Sequence, residues 1–236
     1  GDVYKRQNTY TLNLRNFQMG TIGTKISALF DKYSLFGLIY VDTGVHDLTI
    51  RLEGKESYLG DEEFPNENCT KYKEAYYGIY APSTNLTITG NRGAILKIYT
   101  HENAIECKNL TIKDSVTVEG VSQGTCIYAC GDITIDGMGT IVNARTTDII
   151  KGQAAVSTRG KLYVGESSRL ITSSVAKSSS WERVGFFHNL PDTNYIFSLY
   201  VAGVATVDGG LITAYFYKRK GSYINCLLYT SPSPRD

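Results

Sequence analysis

A short phrase recurs along this chain at a nearly fixed interval, and no other feature narrows the choice of fold so far. Asn85-Leu86-Thr87-Ile88-Thr89-Gly90, Asn109-Leu110-Thr111-Ile112-Lys113-Asp114 and Asp132-Ile133-Thr134-Ile135-Asp136-Gly137 each set apolar residues at alternate positions between turn residues. That is the pattern of a short strand with one buried side. From Leu86 to Leu110 is 24 residues and from Leu110 to Ile133 is 23, a period that signals stacked repeats.

Each repeat carries two further strand-like runs. Gly78-Ile79-Tyr80-Ala81, Ala104-Ile105-Glu106-Cys107, Cys126-Ile127-Tyr128-Ala129 and Ala155-Val156-Ser157-Thr158 precede the phrase or its equivalent Leu162-Tyr163-Val164. Ile95 to Ile98, Val116 to Val118, Thr140 to Val142 and Leu170-Ile171 follow it. Three short strands per repeat predict a coil of triangular section, whose backbone groups pair with the coils above and below, about 4.8 Å away. Because one coil cannot enclose its own apolar residues, stability must come from neighbours. Leu86, Leu110 and Ile133 then form one buried column, and Ile88, Ile112 and Ile135 another. Asp47, Asn85, Asn109 and Asp132 share a turn position, where their side chains bond local backbone; the Asn-x-Thr sequons at Asn85 and Asn109 are by-products of the repeat. Thr11 to Arg15, Leu38 to Val41 and Leu48 to Gly54 read as earlier strands, and Leu199 to Leu211 as a later coil. Tyr215-Phe216-Tyr217 reads as the start of another.

Both ends read as foreign. Residues 1–7 can be encoded by GGA GAT GTG TAT AAG AGA CAG, and the complementary strand, shifted by one base, encodes the run from Cys226 to Pro232. Residues 1–7 and 226–236 are therefore expected to be sequencing-adaptor translations, leaving 8–225 as one repeat domain of a metagenomic fragment cut on both sides. Of 24 basic and 23 acidic residues the scars hold three and two, so 21 of each remain. A neutral chain with no basic run carries no electrostatic footprint for nucleic acid, and no long apolar span predicts membrane insertion in this fragment.

Two stretches leave the repeat. Residues 55–77 are acidic, and Asp61, Glu62, Glu63 and Glu67 are candidate calcium ligands, although the spacing is not that of an EF-hand. The second, Ser173 to Ser198, gathers Trp181, Phe186, Phe187, His188 and Tyr195; an aromatic loop of this kind offers flat faces for sugar rings, or else packs down on its scaffold. Ile22 to Phe36 has apolar residues at helical spacing and predicts a short helix. Cys107 and Cys130 each stand three residues before an aligned apolar residue, so they are expected to stack, either as small thiols or as a disulfide. Cys126 and Cys130 have no zinc-site partners. On the outward face Asp136 has Lys113 and Thr89 beside it and no second acid on that strand, so no catalytic residue is assigned. A hydrolase would need paired carboxylates.

The Gly-Ile-Tyr-Ala…Asn-Leu-Thr-Ile-Thr-Gly and Cys-Ile-Tyr-Ala-Cys-Gly-Asp-Ile-Thr-Ile-Asp-Gly units resemble the repeats of bacterial, mostly clostridial, carbohydrate-binding β-helix proteins, most clearly over residues 37–172. The resemblance implies an all-β, right-handed parallel β-helix solenoid, here with two long loop excursions. It also implies export to the cell surface or medium and binding of plant cell-wall polysaccharide such as cellulose or pectin, with calcium as the one candidate cofactor. The expected function is noncatalytic carbohydrate binding through Trp181, Phe186, Phe187 and Tyr195. A structural stalk or adhesin repeat presenting neighbouring domains is one alternative, and a divergent pectate-lyase-like polysaccharide lyase is the other.

Overall fold

A computed structural model of the chain describes residues 9–19, 36–60, 76–149, 153–176, 184–185, 196–218 and 223–230. Among them the secondary structure is all β, in two sheets whose strands pair almost throughout in parallel, the arrangement expected of a parallel β-helix. The predicted helix over Ile22 to Phe36 falls outside the described residues apart from Phe36, which begins a strand.

Three series of strands recur in the predicted order. The first comprises Phe36–Tyr40, the front of Tyr76–Gly90, the front of Ile105–Ile112, Ile127–Ala129, Ala154–Thr158 and Ile196–Val201. The second comprises Thr9–Leu14, Asp47–Leu52, the backs of the same two long strands, Ile133–Ile135, Leu162–Val164 and Ala205–Val207. These two series share one sheet because Tyr76–Gly90 and Ile105–Ile112 run through the corner between them. The third series forms the other sheet: Gln18–Met19, Glu56–Gly60, Ile95–Tyr99, Thr117–Ser122, Ile141–Ile149, Arg169–Ala176 and Leu211–Lys218.

Register follows the sequence period. Leu86 pairs with Leu110 and Leu110 with Ile133, while Ile88, Ile112 and Ile135 align in the same way. All six are buried, in a cluster that also takes Ile79, Ile105 and Ile127 from the first series and Leu96, Val118 and Val142 from the third. Three strand faces thus share one apolar interior. Each fully enclosed Leu or Ile contributes about 1.5–3 kcal/mol, so these columns outweigh any surface pair.

The corners are closed by polar groups. Asn85 Nδ2 donates to Asp47 Oδ1 at 2.9 Å and Asn109 Nδ2 to Asn85 Oδ1 at 2.8 Å, and the ladder continues as Asn109 Oδ1 accepts from the Asp132 N–H and Asp132 Oδ1 from the Lys161 N–H, both at 2.7 Å. Buried hydroxyls satisfy other corners: Thr84 donates to the Val45 carbonyl, Ser122 to that of Gly124 and Ser168 to that of Gly165. After the second strand the chain enters the left-handed region in successive repeats, at Gly93, at Asp114 and Ser115, at Gly137 and Gly139, at Ser167 and at Gly209. Glycine and short polar side chains tolerate that conformation best.

Four expectations need correction. The aromatic excursion is narrower than Ser173 to Ser198, since Ser173 to Ala176 belong to the strand Arg169–Ala176 and Ile196 to Ser198 to the strand Ile196–Val201. The acidic excursion does not begin at residue 55, because Glu56–Gly60 is a paired strand; its inward positions hold Ser57 and Leu59, and a polar Ser57 hides the alternation. Tyr215 to Tyr217 begin no new coil but continue Leu211–Lys218. Cys107 aligns with Ala129, not with Cys130: Cys107 is buried, Cys130 is exposed, and both are free thiols. Leu110 lies three residues after Cys107, whereas Ile133 lies four after Ala129, and the extra residue at the corner throws the alignment off by one.

Replacing Ile112 by Ala should cost roughly 3 kcal/mol through the cavity left between Ile88 and Ile135. Asn109→Ala should cost about 2 kcal/mol by removing two hydrogen bonds. Urea unfolding of both variants checks the pair; a cost for Asn109→Ala under a few tenths of a kcal/mol would show that the ladder does not hold the corners.

Candidate functional site

Residues between two inward positions of a strand must face outward, and in the first series those residues are largely aromatic. Tyr40 pairs in register with Tyr80, Tyr80 with Glu106, Glu106 with Tyr128, Tyr128 with Ser157 and Ser157 with Tyr200. Tyr40 is 59% exposed and stacks on Tyr80, with ring centroids 5.7 Å apart and planes 23° from parallel. Tyr77 also packs against Tyr80, its centroid 4.8 Å away and its ring tilted by 59°. The result is an open aromatic platform along the stacking direction, with rigid rings that lose little freedom on meeting a ligand.

Glu106 interrupts the platform with a carboxyl group. Asn103 Nδ2 donates to its Oε2 at 2.8 Å, while Oε1 has no hydrogen-bond partner among the described residues. Partial burial raises the carboxyl pKa above its usual range; the Asn103 bond works against this, and the nearby Glu102 charge adds to it. Tyr77 is pushed up to about 12, by burial first and then by Glu106 and Glu102. Tyr80 is raised by burial, Glu106 and Tyr40. The phenols therefore stay protonated, and each keeps an O–H donor.

The second series presents a different face. Thr49, Thr87, Thr111 and Thr134 align outward, and their hydroxyls make no hydrogen bond among the described residues. Tyr163 continues this column. Asp136 and Asp208 lie on either side of Gly165, where a Cβ would meet Asp136 Oδ1 at 2.0 Å. Asp136 thus has a second acid two strands away in register, which the adjacent positions Thr89 and Lys113 did not suggest. Burial raises the Tyr163 phenol, and Asp208, Asp136 and Glu166 add to the shift. No group of three or more potential metal ligands comes together among the described residues, and Lys113 and Asp136 form no ion pair.

Trp181, Phe186, Phe187 and Tyr195, and likewise Asp61, Glu62, Glu63 and Glu67, all lie outside the residues whose side chains are described. The tyrosine column was not singled out from the sequence, yet its signal was there: the middle residue of Ile39-Tyr40-Val41, Ile79-Tyr80-Ala81, Ile127-Tyr128-Ala129 and Leu199-Tyr200-Val201. The buried thiols are inert by contrast, since burial pushes Cys126 up to about 12 and raises Cys107 as well.

No family model matches the chain, and neither a curated protein nor a solved structure matches it.

A carboxyl that prefers its proton in the folded state stabilises the fold below its unfolded pKa, and that contribution is lost as the pH rises through the folded pKa. Glu106→Gln has no such titration. Thermal melts at acid and neutral pH should therefore show the parent losing ground to Glu106→Gln as the pH rises; a gap that is flat with pH, or that widens in favour of the parent, would contradict the placement of this side chain.

Proposed function

We propose that this chain is a right-handed parallel β-helix acting as an exported, noncatalytic carbohydrate-binding module for plant cell-wall polysaccharide. The observation that carries the reading is the in-register column of outward tyrosines, with Tyr40 open and stacked on Tyr80. Aromatic faces hold sugar rings by their apolar C–H surfaces, while nearby polar groups orient the hydroxyls. Strands about 4.8 Å apart place one position per coil, close to the advance of one ring in an extended glycan. An extended chain lying along the column therefore meets a side chain at each ring, and the threonine column adds free hydroxyls on the adjoining face.

The stalk or adhesin reading draws on the stacked repeats alone and gives the exposed tyrosines no role. A lyase or hydrolase reading would draw on Asp136, Asp208 and Tyr163, with Glu166 near enough to act on Tyr163; it is the weaker one, since no group that could hold a metal ion forms among the described residues. Calcium at Asp61, Glu62, Glu63 and Glu67 remains part of the proposal. So does the foreign origin of 1–7 and 226–236, which rests on the coding relation between the two ends.

Affinity electrophoresis through separate gels containing a cellulose derivative, xylan or pectin should retard the parent in at least one of them. Tyr80→Ala should bind about fivefold more weakly, corresponding to about 1 kcal/mol for one aromatic platform. Trp181→Ala, run beside it, apportions binding between the column and the aromatic loop. A parent that migrates unretarded through every glycan ends the carbohydrate reading in favour of the stalk.

A further inference from the structure

We infer that Glu106 sets the ligand class of the tyrosine column, selecting neutral extended glycans over uronate polymers. The inference rests on the carbohydrate reading and names what that surface accepts. Glu106 stands in register between Tyr80 and Tyr128, so a glycan laid along the column passes over it. One carboxylate oxygen is fixed by Asn103 at 2.8 Å and the other is open, which makes an oriented acceptor for the hydroxyl groups of a neutral sugar. Carboxylates accept such bonds more strongly than neutral groups do.

The same carboxylate works against an acidic sugar. A uronate ring over Tyr80 or Tyr128 would set its own charge beside Glu106, with Glu102 near enough to act on Glu106 and Tyr77. The tyrosine rings exclude part of the solvent that would screen these like charges. No basic side chain neutralises Glu106 among the described residues: Lys108 and Arg159 stand nearby along the strands, but the side-chain hydrogen bond to Glu106 comes from the neutral Asn103.

The test compares the parent, Glu106→Gln and Tyr80→Ala by affinity electrophoresis and by titration with two probes, a neutral cello-oligosaccharide and an oligogalacturonate. The parent should bind the neutral probe and discriminate against the acidic one. Glu106→Gln keeps the shape and an acceptor for Asn103; it should bind the neutral probe roughly tenfold more weakly and lose most of the discrimination. Circular dichroism establishes that the variant is folded, and the parent's own preference is an independent readout that needs no variant. Equal or stronger binding of the oligogalacturonate by the parent overturns the role of Glu106 while leaving carbohydrate binding in place. So does a folded Glu106→Gln with unchanged discrimination. Binding of neither probe, nor of any other glycan, by the parent overturns the carbohydrate reading itself.

Discussion

The structure depends on parallel pairing in register between one repeat and the next. Pairing of this kind makes position in the repeat equivalent to position in space: an inward residue lies over its inward counterpart and an outward residue over its outward one. A slip of one residue would turn Leu86, Ile88 and their equivalents to solvent. The columns Leu86–Leu110–Ile133 and Ile88–Ile112–Ile135 supply the cost that forbids the slip. Their burial is collective, since no repeat can enclose its own leucines without neighbours.

Corners require a different solution. There the chain leaves the ladder, and its backbone groups need other partners. The side chains of Asn109 and Asp132 accept from the backbone N–H groups of Asp132 and Lys161, Asn109 is tied through Asn85 to Asp47, and small hydroxyls such as Thr84, Ser122 and Ser168 bond backbone carbonyls at other corners. Corner length is accordingly free to vary. Leu86 lies five positions after Ala81, Leu110 three after Cys107 and Ile133 four after Ala129, although each pair is aligned across the repeats.

That freedom explains what could and could not be read from the sequence. Strand positions were legible because two periods agree on them, the alternation within a strand and the 23–24 residue recurrence between strands. The alignment of Cys107 with Ala129 was not, because it depends on counting across a corner. Glu56–Gly60 was missed because Ser57 occupies an inward position where an apolar residue was expected. The tyrosine column was present in the Ile-Tyr-Ala units as the residue between two apolar neighbours, a weaker signal than the density of aromatics around Trp181. Glu106 shows no periodic signal, since it stands where its neighbours in the column carry tyrosine.

The aromatic and polar faces have meaning only if the repeats stand one above another, so the claim to test first is the stacking itself. Distances between spin labels measured by double electron–electron resonance do so directly, with pairs at the outward threonine positions Thr11, Thr49 and Thr206. Thr11 and Thr206 are six strands apart by register and Thr49 and Thr206 five, so the label sites should lie about 29 Å and about 24 Å apart at 4.8 Å per strand. Distances that fall in this order with one strand of difference support the account. Equal distances, or a shorter one for the pair with more strands between, would contradict it.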